Sequence, residues 1–336
     1  VVSVPVTAAA AEGLRQVNLR TDLAPLADLM EIAFADSMDN GGRAAIREMR
    51  ALSRLGGGVS IFSGVNELVA GIGLGYVWMA DGRLIGNVSI YPASLPAGFP
   101  RTWIIANVAV HPDYRGRGIA RRLMETSLAA VRGRGEVLLQ VEERNVVARR
   151  LYETLDFDTE GVFTTWRRPA GARRPPPSNQ PGPYITRRTR GEWKQEYALA
   201  QRARALGRGG IGWLRPLHQA FFHRSLWQSV TDAFNLRSLE RLIIRSASGQ
   251  DLLASLWVER AFGAAATQLT LLLDPENAAV CGEALVLSAV RRFDGSLLTA
   301  EHPADDPVVS FLLQKYSFAP QRTLVHMRWR QPRLSP

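Results

Sequence analysis

Six consecutive residues carry the clearest chemistry in this chain: Arg115, Gly116, Arg117, Gly118, Ile119 and Ala120. They follow an apolar run, 103–110, that reads as a strand, and they open an amphipathic run, 119–132, that reads as a helix. A glycine-rich turn between a strand and a helix start gathers backbone N–H groups around an anion. The helix N-terminus adds partial positive charge, so the ligand class is a phosphate. Glycine at 116 and 118 lets the backbone approach closely. Arg115 and Arg117 can add charge-assisted hydrogen bonds to phosphate oxygens, although Arg117 reads equally well as surface charge. Further along, Asn145 offers a donor and an acceptor just ahead of a helical run, 146–155. Tyr152 follows seven residues later, about two turns, so both fall on one helix face. Asn145 also reads as a helix N-cap, and Tyr152 by itself as a packed aromatic.

The elements that must position these residues alternate. A strand is expected at 14–20, a helix at 22–34 with Thr21 as N-cap, and a second helix at 43–55. Strands at 75–79 and 84–91 flank Asp81-Gly82, a strong hairpin signal. The 103–110 strand, the loop and its helix come next. A strand at 137–141, the 146–155 helix and a strand at 161–166 complete an α/β half with a mixed sheet. Residues 168–183, with three consecutive prolines, read as a linker. The expected organisation is a loose tail at 1–13, a first domain at 14–167, the linker, and a second domain at 184–331.

Composition sets outer limits. A length of 336 residues suggests two domains, and 46% hydrophobic content suits a buried core. The single cysteine, Cys281, excludes an internal disulfide and a cysteine-based metal site. The five histidines show no metal-ligand spacing, so no metal is expected. The longest apolar run, 59–79, is broken by Asn66, Glu67 and several glycines, which argues against a membrane span. The apolar start, with Pro5 and no basic region, reads as a tail and not a signal peptide, so a cytoplasmic location is expected. The net charge of +10 is nearly all arginine, scattered along the chain. That suits a solvated surface plus an anion site better than a nucleic-acid interface.

The pattern VAVHPDYRGRGIARRLM followed by NVVARRLYETLDF resembles the GCN5-related N-acetyltransferase (GNAT) superfamily. Arg115, Gly118 and Ala120 meet the family's loop signature, and Asn145, Ala148, Leu151, Tyr152 and Phe157 follow in its order. The resemblance implies acetyl-coenzyme A as co-substrate, with the loop on its pyrophosphate. The backbone of Val108, Ala109 and Val110 would pair with the pantetheine arm as an added strand does. It further implies that Asn145 contacts the cofactor's amide-bearing arm and that Tyr152 is the general acid for the leaving thiolate. A neutral amine, on a small molecule or a peptide N-terminus, would attack the thioester directly. Some relatives use a glutamate five residues before the Asn as base. Gln140 stands there and cannot serve, so Glu142, on the same strand face, is the candidate, with a water chain or an amine that arrives unprotonated as the alternatives. His111 is expected to be structural. Asp156 replaces the family's usual glycine, at a position that often wants a left-handed backbone.

The second half repeats the first faintly. Residues 306–318 resemble 145–157, and Leu273-Asp274-Pro275-Glu276 resembles Val110-His111-Pro112-Asp113, at offsets of 161 and 163 residues. Ala278, Ala279 and Cys281 stand opposite Arg115, Gly116 and Gly118. Leu313 stands opposite Tyr152 and Asp306 opposite Asn145. The expected architecture is two tandem GNAT-like α/β domains, each a mixed, mostly antiparallel sheet flanked by helices, with the second copy degenerate. The expected function is an acetyl-coenzyme A-dependent N-acyltransferase, monomeric or homodimeric. The alternative is a non-catalytic acyl-coenzyme A sensor or scaffold.

Overall fold

A computed structural model describes residues 13–35, 38, 40–54, 75–96, 98–178, 181–204, 209–223, 237–261, 263–264 and 266–329. The expected tail up to residue 12 and residues 59–74 of the apolar run lie outside them. The chain divides into two compact units, neither of them one continuous stretch. The first takes the described residues up to Leu139, then Arg150–Asp158 and the described residues from Arg328 on. The second takes Gln140–Arg149 and Thr159–Met327.

In the first unit β1 (Gly13–Gln16), β2 (Gly75–Ala80), β3 (Arg83–Pro92) and β4 (Thr102–Val110) run antiparallel in that order. β4 then pairs in parallel with the start of β5 (Glu136–Glu142). The β2–β3 turn is Asp81-Gly82 with φ of 50° and 68°, the doubly left-handed turn that the sequence signal predicts. Helices α1 (Leu23–Ala33) and α2 (Asn40–Arg54) bury Leu23, Leu26, Met30, Ile46 and Met49 against Val77, Leu84 and Ala109. Helix α3 (Ile119–Val131) buries Ile119, Leu123, Met124, Leu128 and Val131, an amphipathic stripe. It lies so close to β3 that a Cβ on Gly86 would meet Ile119 Cγ2, Leu123 Cδ1 and Trp78 Cβ, each at 3.1 Å. Trp78 therefore faces α3, and its neighbour Val77 faces α1 and α2, so the sheet is covered on both sides.

Two expected details differ. β1 ends at Gln16, because the chain turns at Asn18, whose amide donates to Asp22 Oδ2 at 2.7 Å. The residue at the N-cap of α1 is Asp22, not Thr21, and its carboxylate is turned away to a bidentate pair with Arg15 at 2.6 and 2.8 Å. Burial pulls the Asp22 pKa upward, but the Arg15 guanidinium and the Asn18 amide outweigh it and hold the carboxyl below its usual range.

In the second unit the strand order is β12-β6-β11-β10-β9-β8-β7. Its strands are β6 (Phe157–Arg168), β7 (Ile185–Arg187), β8 (Arg237–Arg245), β9 (Leu252–Ala261), β10 (Thr267–Leu273), β11 (Leu298–Pro303) and β12 (Ala319–Trp329). β10 and β11 are parallel, while β7–β8, β8–β9, β9–β10 and β6–β11 are antiparallel. Helices α6 (Ala278–Arg292) and α7 (Pro307–Lys315) cover one face through Leu285, Ala289, Val309 and Leu313. Helix α5 (Trp193–Ala203) covers the other with Leu199 and Ala203 against Ile243, Trp257 and Leu272. Arg168 closes β6 fully buried, its guanidinium donating to the carbonyls of Tyr316, Ala172 and Arg173.

The two halves of the sequence share a local plan. Each has a strand, a helix and a parallel strand (β4-α3-β5 and β10-α6-β11), then a short helix (α4, Val146–Glu153, and α7). Each then turns through a left-handed non-glycine residue, Asp156 at φ 64° and Ser317 at φ 65°. Their separation is again 161 residues.

Candidate active site

The parallel ladder of β4 and β5 runs from Thr102↔Glu136 to Ile105↔Leu139. β4 continues to Val110, so among the described residues Val108, Ala109 and Val110 have no register partner on the β5 side. On the β3 side Asn87 pairs Ala109 and Ser89 pairs Ala106, so β4 carries an extra residue, a bulge. Asn107 sits in it at φ 54°. The Ala109 side chain packs into the core under α1, which leaves its backbone as the part available to a ligand.

The loop beyond β4 is exposed. Gly116 and Gly118 have φ of 77° and 76°, and a Cβ on either would meet nothing within 4 Å. Glycine is thus needed here for the left-handed backbone, and the open space at both positions is room for an incoming group. Gly118 is the N-cap of α3 and provides no side-chain cap, so the helix N-terminus is left to face the loop. Arg115 Nε donates to Val110 O at 3.2 Å, while Arg117 donates to Asp113 O at 3.1 Å and lies over the Tyr114 ring. Ile119 is buried, so only its backbone faces the turn, and Ala120 is half-buried. His111 accepts from Asp113 N at 3.4 Å and packs edge-on to Tyr114, holding the short turn before the loop.

Tyr152 lies in α4 and is buried against Phe157, ring centroids 5.9 Å apart. Burial pushes its phenol pKa above the ordinary value, so the hydroxyl stays protonated. Among the described residues no hydrogen bond engages that hydroxyl, which leaves its proton free to donate. Glu142 and Asn145 belong to the Gln140–Arg149 stretch of the second unit. Asn145 is exposed, and its Oδ1 accepts from Ala148 N at 3.1 Å, the N-cap bond. Glu142 is half-buried, with Arg144 Nε 2.6 Å from its carboxylate. Gln140 is occupied by His326, Nε2 to Nε2 at 2.9 Å. Two features escaped sequence reasoning, the β4 bulge and its contact with Asn87. The available signal was an asparagine inside each of two mostly apolar strands, where asparagine is disfavoured.

The first unit thus carries a strand end freed from its neighbour, an open glycine turn at a helix N-terminus and a buried neutral phenol, features that suit an anionic ligand with an amide-bearing arm. Residues 65–157 match the acetyltransferase (GNAT) family, so the chain contains a GNAT domain. A mycothiol acetyltransferase of Thermobispora bispora is 44% identical over 63 residues, 18% of this chain and 21% of that protein. The N-alpha-acetyltransferase RimI of Mycobacterium tuberculosis is 35% identical over 93 residues, 28% of this chain and 57% of that protein. The chain thus matches between about a fifth and just over half of these relatives' lengths. Among solved structures, a GCN5-related N-acetyltransferase from Sphaerobacter thermophilus has a similar fold, with a TM-score of 0.55 at 14% identity over 94% of both chains. No helix among the described residues is long and apolar enough to cross a membrane.

Proposed function

We propose that this protein is an acetyl-coenzyme A-dependent N-acyltransferase whose cofactor site is built on β4 and the loop from Arg115 to Ala120. The observation that carries the reading is the open Gly116–Gly118 turn a few residues beyond β4, a strand whose last residues have no register partner on the β5 side among the described residues. These residues fit coenzyme A: the turn's N–H groups suit a pyrophosphate, Val108 and Ala109 offer backbone to an amide-bearing arm, and Arg115 can swing from the Val110 carbonyl to the pyrophosphate, freeing that carbonyl as well. When bound, acetyl-coenzyme A supplies the activated acyl group. Tyr152 donates its proton to the departing sulfur, which its protonated phenol can do across the physiological range. The family resemblance alone assigns Asn145 to the same arm and Glu142 to the amine's proton, and the Arg144 contact must loosen for Glu142 to act. The acceptor is an amine, on a small molecule or a peptide N-terminus, in line with the N-alpha-acetyltransferase to which residues of this chain are similar.

One cofactor site per chain follows from the second unit. There β10 and β11 also part, after Leu269↔Ala300. The place beside β10 is taken by Arg204, which donates to Leu271 O at 2.8 Å and approaches His302 Nδ1 at 3.4 Å. Leu271 is the counterpart of Val108 at the 163-residue offset. His302 is held in turn by Asp306, Nε2 to Oδ2 at 2.9 Å. An internal side chain thus uses the backbone that a pantetheine arm would need.

The test is release of free thiol from acetyl-coenzyme A with a panel of amines and peptide N-termini. Amine-dependent thiol release supports transfer. Acetyl-coenzyme A binding without release under any amine would instead favour the sensor reading.

A further inference from the structure

Asn87 and Asn107 are polar residues inside mostly apolar strands. Asn87 is 2% exposed and Ser89, two positions along the same face of β3, is 1% exposed. Their side chains converge on the β4 bulge. Asn87 Nδ2 donates to Asn107 O at 2.8 Å, and Asn107 Nδ2 donates to Ser89 Oγ at 3.3 Å. The Asn107 carbonyl is therefore held by a side chain. Asparagine is among the few residues that tolerate the φ of 54° found at position 107.

The consequence is geometric. No peptide bond among the described residues is cis, so the Asn107–Val108 peptide is trans and planar, with its C=O and N–H pointing in opposite directions. Anchoring the oxygen on Asn87 aims the Val108 N–H away from β3. That is the side on which β5 has left the ladder after Leu139. Without the Asn87 amide the part-buried carbonyl would turn to seek another donor, and the N–H would turn with it.

We propose that Asn87 is a positioning residue for acyl transfer: its side-chain amide latches the Asn107–Val108 peptide so that the Val108 N–H is fixed for the thioester carbonyl. This rests on the chain being an acetyl-coenzyme A-dependent transferase. A donor held in place before the reaction stabilises the charge that develops on that oxygen, and losing one lowers turnover more than affinity. Asn87 never touches substrate; it acts through one peptide plane.

The test compares wild type with Asn87→Ala and Asn87→Asp, the second nearly isosteric but unable to donate when ionised. Val77→Ala serves as control, because Val77 is the buried cross-strand partner of Asn87 and has no part in the latch. Each folded variant is measured for melting temperature, acetyl-coenzyme A affinity and kcat. The expectation for the Asn87 variants is a kcat loss of about ten- to a hundredfold, with acetyl-coenzyme A affinity within about threefold. Val77→Ala should lower the melting temperature and leave kcat near wild type. An Asn87 variant with kcat within about twofold of wild type, or a Val77→Ala loss of equal size, overturns the proposal while leaving the transferase reading intact. If neither Asn87 variant folds, the wild type decides: its 15N-labelled Val108 amide resonance should move further with acetyl-coenzyme A than with coenzyme A, and equal movement overturns the latch. A wild type that binds no acetyl-coenzyme A overturns the transferase reading and the proposal together.

Discussion

Replacing Tyr152 by Phe removes one oxygen from a buried ring and nothing else. The ring keeps its tilted contact with Phe157, and no hydrogen bond among the described residues is lost, so stability should change by no more than about 0.5 kcal/mol. The hydroxyl's role in turnover is much larger. A single positioned donor or general acid contributes about a hundredfold to kcat, close to 2.7 kcal/mol. Because burial raises the phenol pKa, the wild-type group stays protonated throughout the assay range and adds no alkaline limb to the pH profile. Tyr152→Phe should therefore lower kcat about a hundredfold at every pH between about 6 and 9, with the profile's shape retained and acetyl-coenzyme A affinity within about threefold. Thiol release gives kcat, and calorimetry gives the affinity. A variant keeping more than about a third of wild-type kcat, or one losing affinity and kcat in equal measure, would refute the role assigned to Tyr152.

Other perturbations probe separate parts of the account. Glu142→Gln should lower kcat/KM by about tenfold or more near neutral pH; an unchanged rate would assign proton removal to water. Gly118→Ala imposes a side chain at φ 76°, so it should cost about 1–2 kcal/mol of stability and weaken acetyl-coenzyme A binding, and a neutral effect on both would contradict the left-handed turn. Burial lowers the His326 pKa to about 4, below the ordinary value near 6.5. A depressed folded-state pKa means that this contribution to stability is fully present above about pH 6.5. It is lost as pH falls toward 4, to a total of up to about 3 kcal/mol. Urea midpoints between pH 7 and 4.5 should fall less steeply in His326→Phe than in wild type; parallel curves would show that His326 is not buried neutral.

How much of this was readable in advance depended on whether a feature is local. The loop from Arg115 to Ala120, the hairpin at Asp81-Gly82 and the left-handed Asp156 follow from backbone preferences of a few adjacent residues, and all three stand where the sequence places them. The N-cap of α1 was misplaced because Arg15, seven residues upstream, draws the Asp22 carboxylate, and a capping rule does not see an ion pair. The bulge at Asn107 depends on Asn87 and Ser89 across a strand pair, a contact set by register and not by spacing. Arg204 looked like one more surface arginine, yet it is buried against Leu271 and His302, residues far away in sequence. For the same reason nothing local showed that Gln140–Arg149 and the residues from Arg328 on would each join the unit built mainly by the other half.

Titration calorimetry of acetyl-coenzyme A into the full chain tests the central claim most directly. Saturable binding at one molecule per chain, abolished or strongly weakened by a charge-reversed loop (Arg115→Glu), is the predicted result. Binding absent at sub-millimolar concentration would contradict the assignment of the loop, and two molecules per chain would contradict the single site that Arg204 implies.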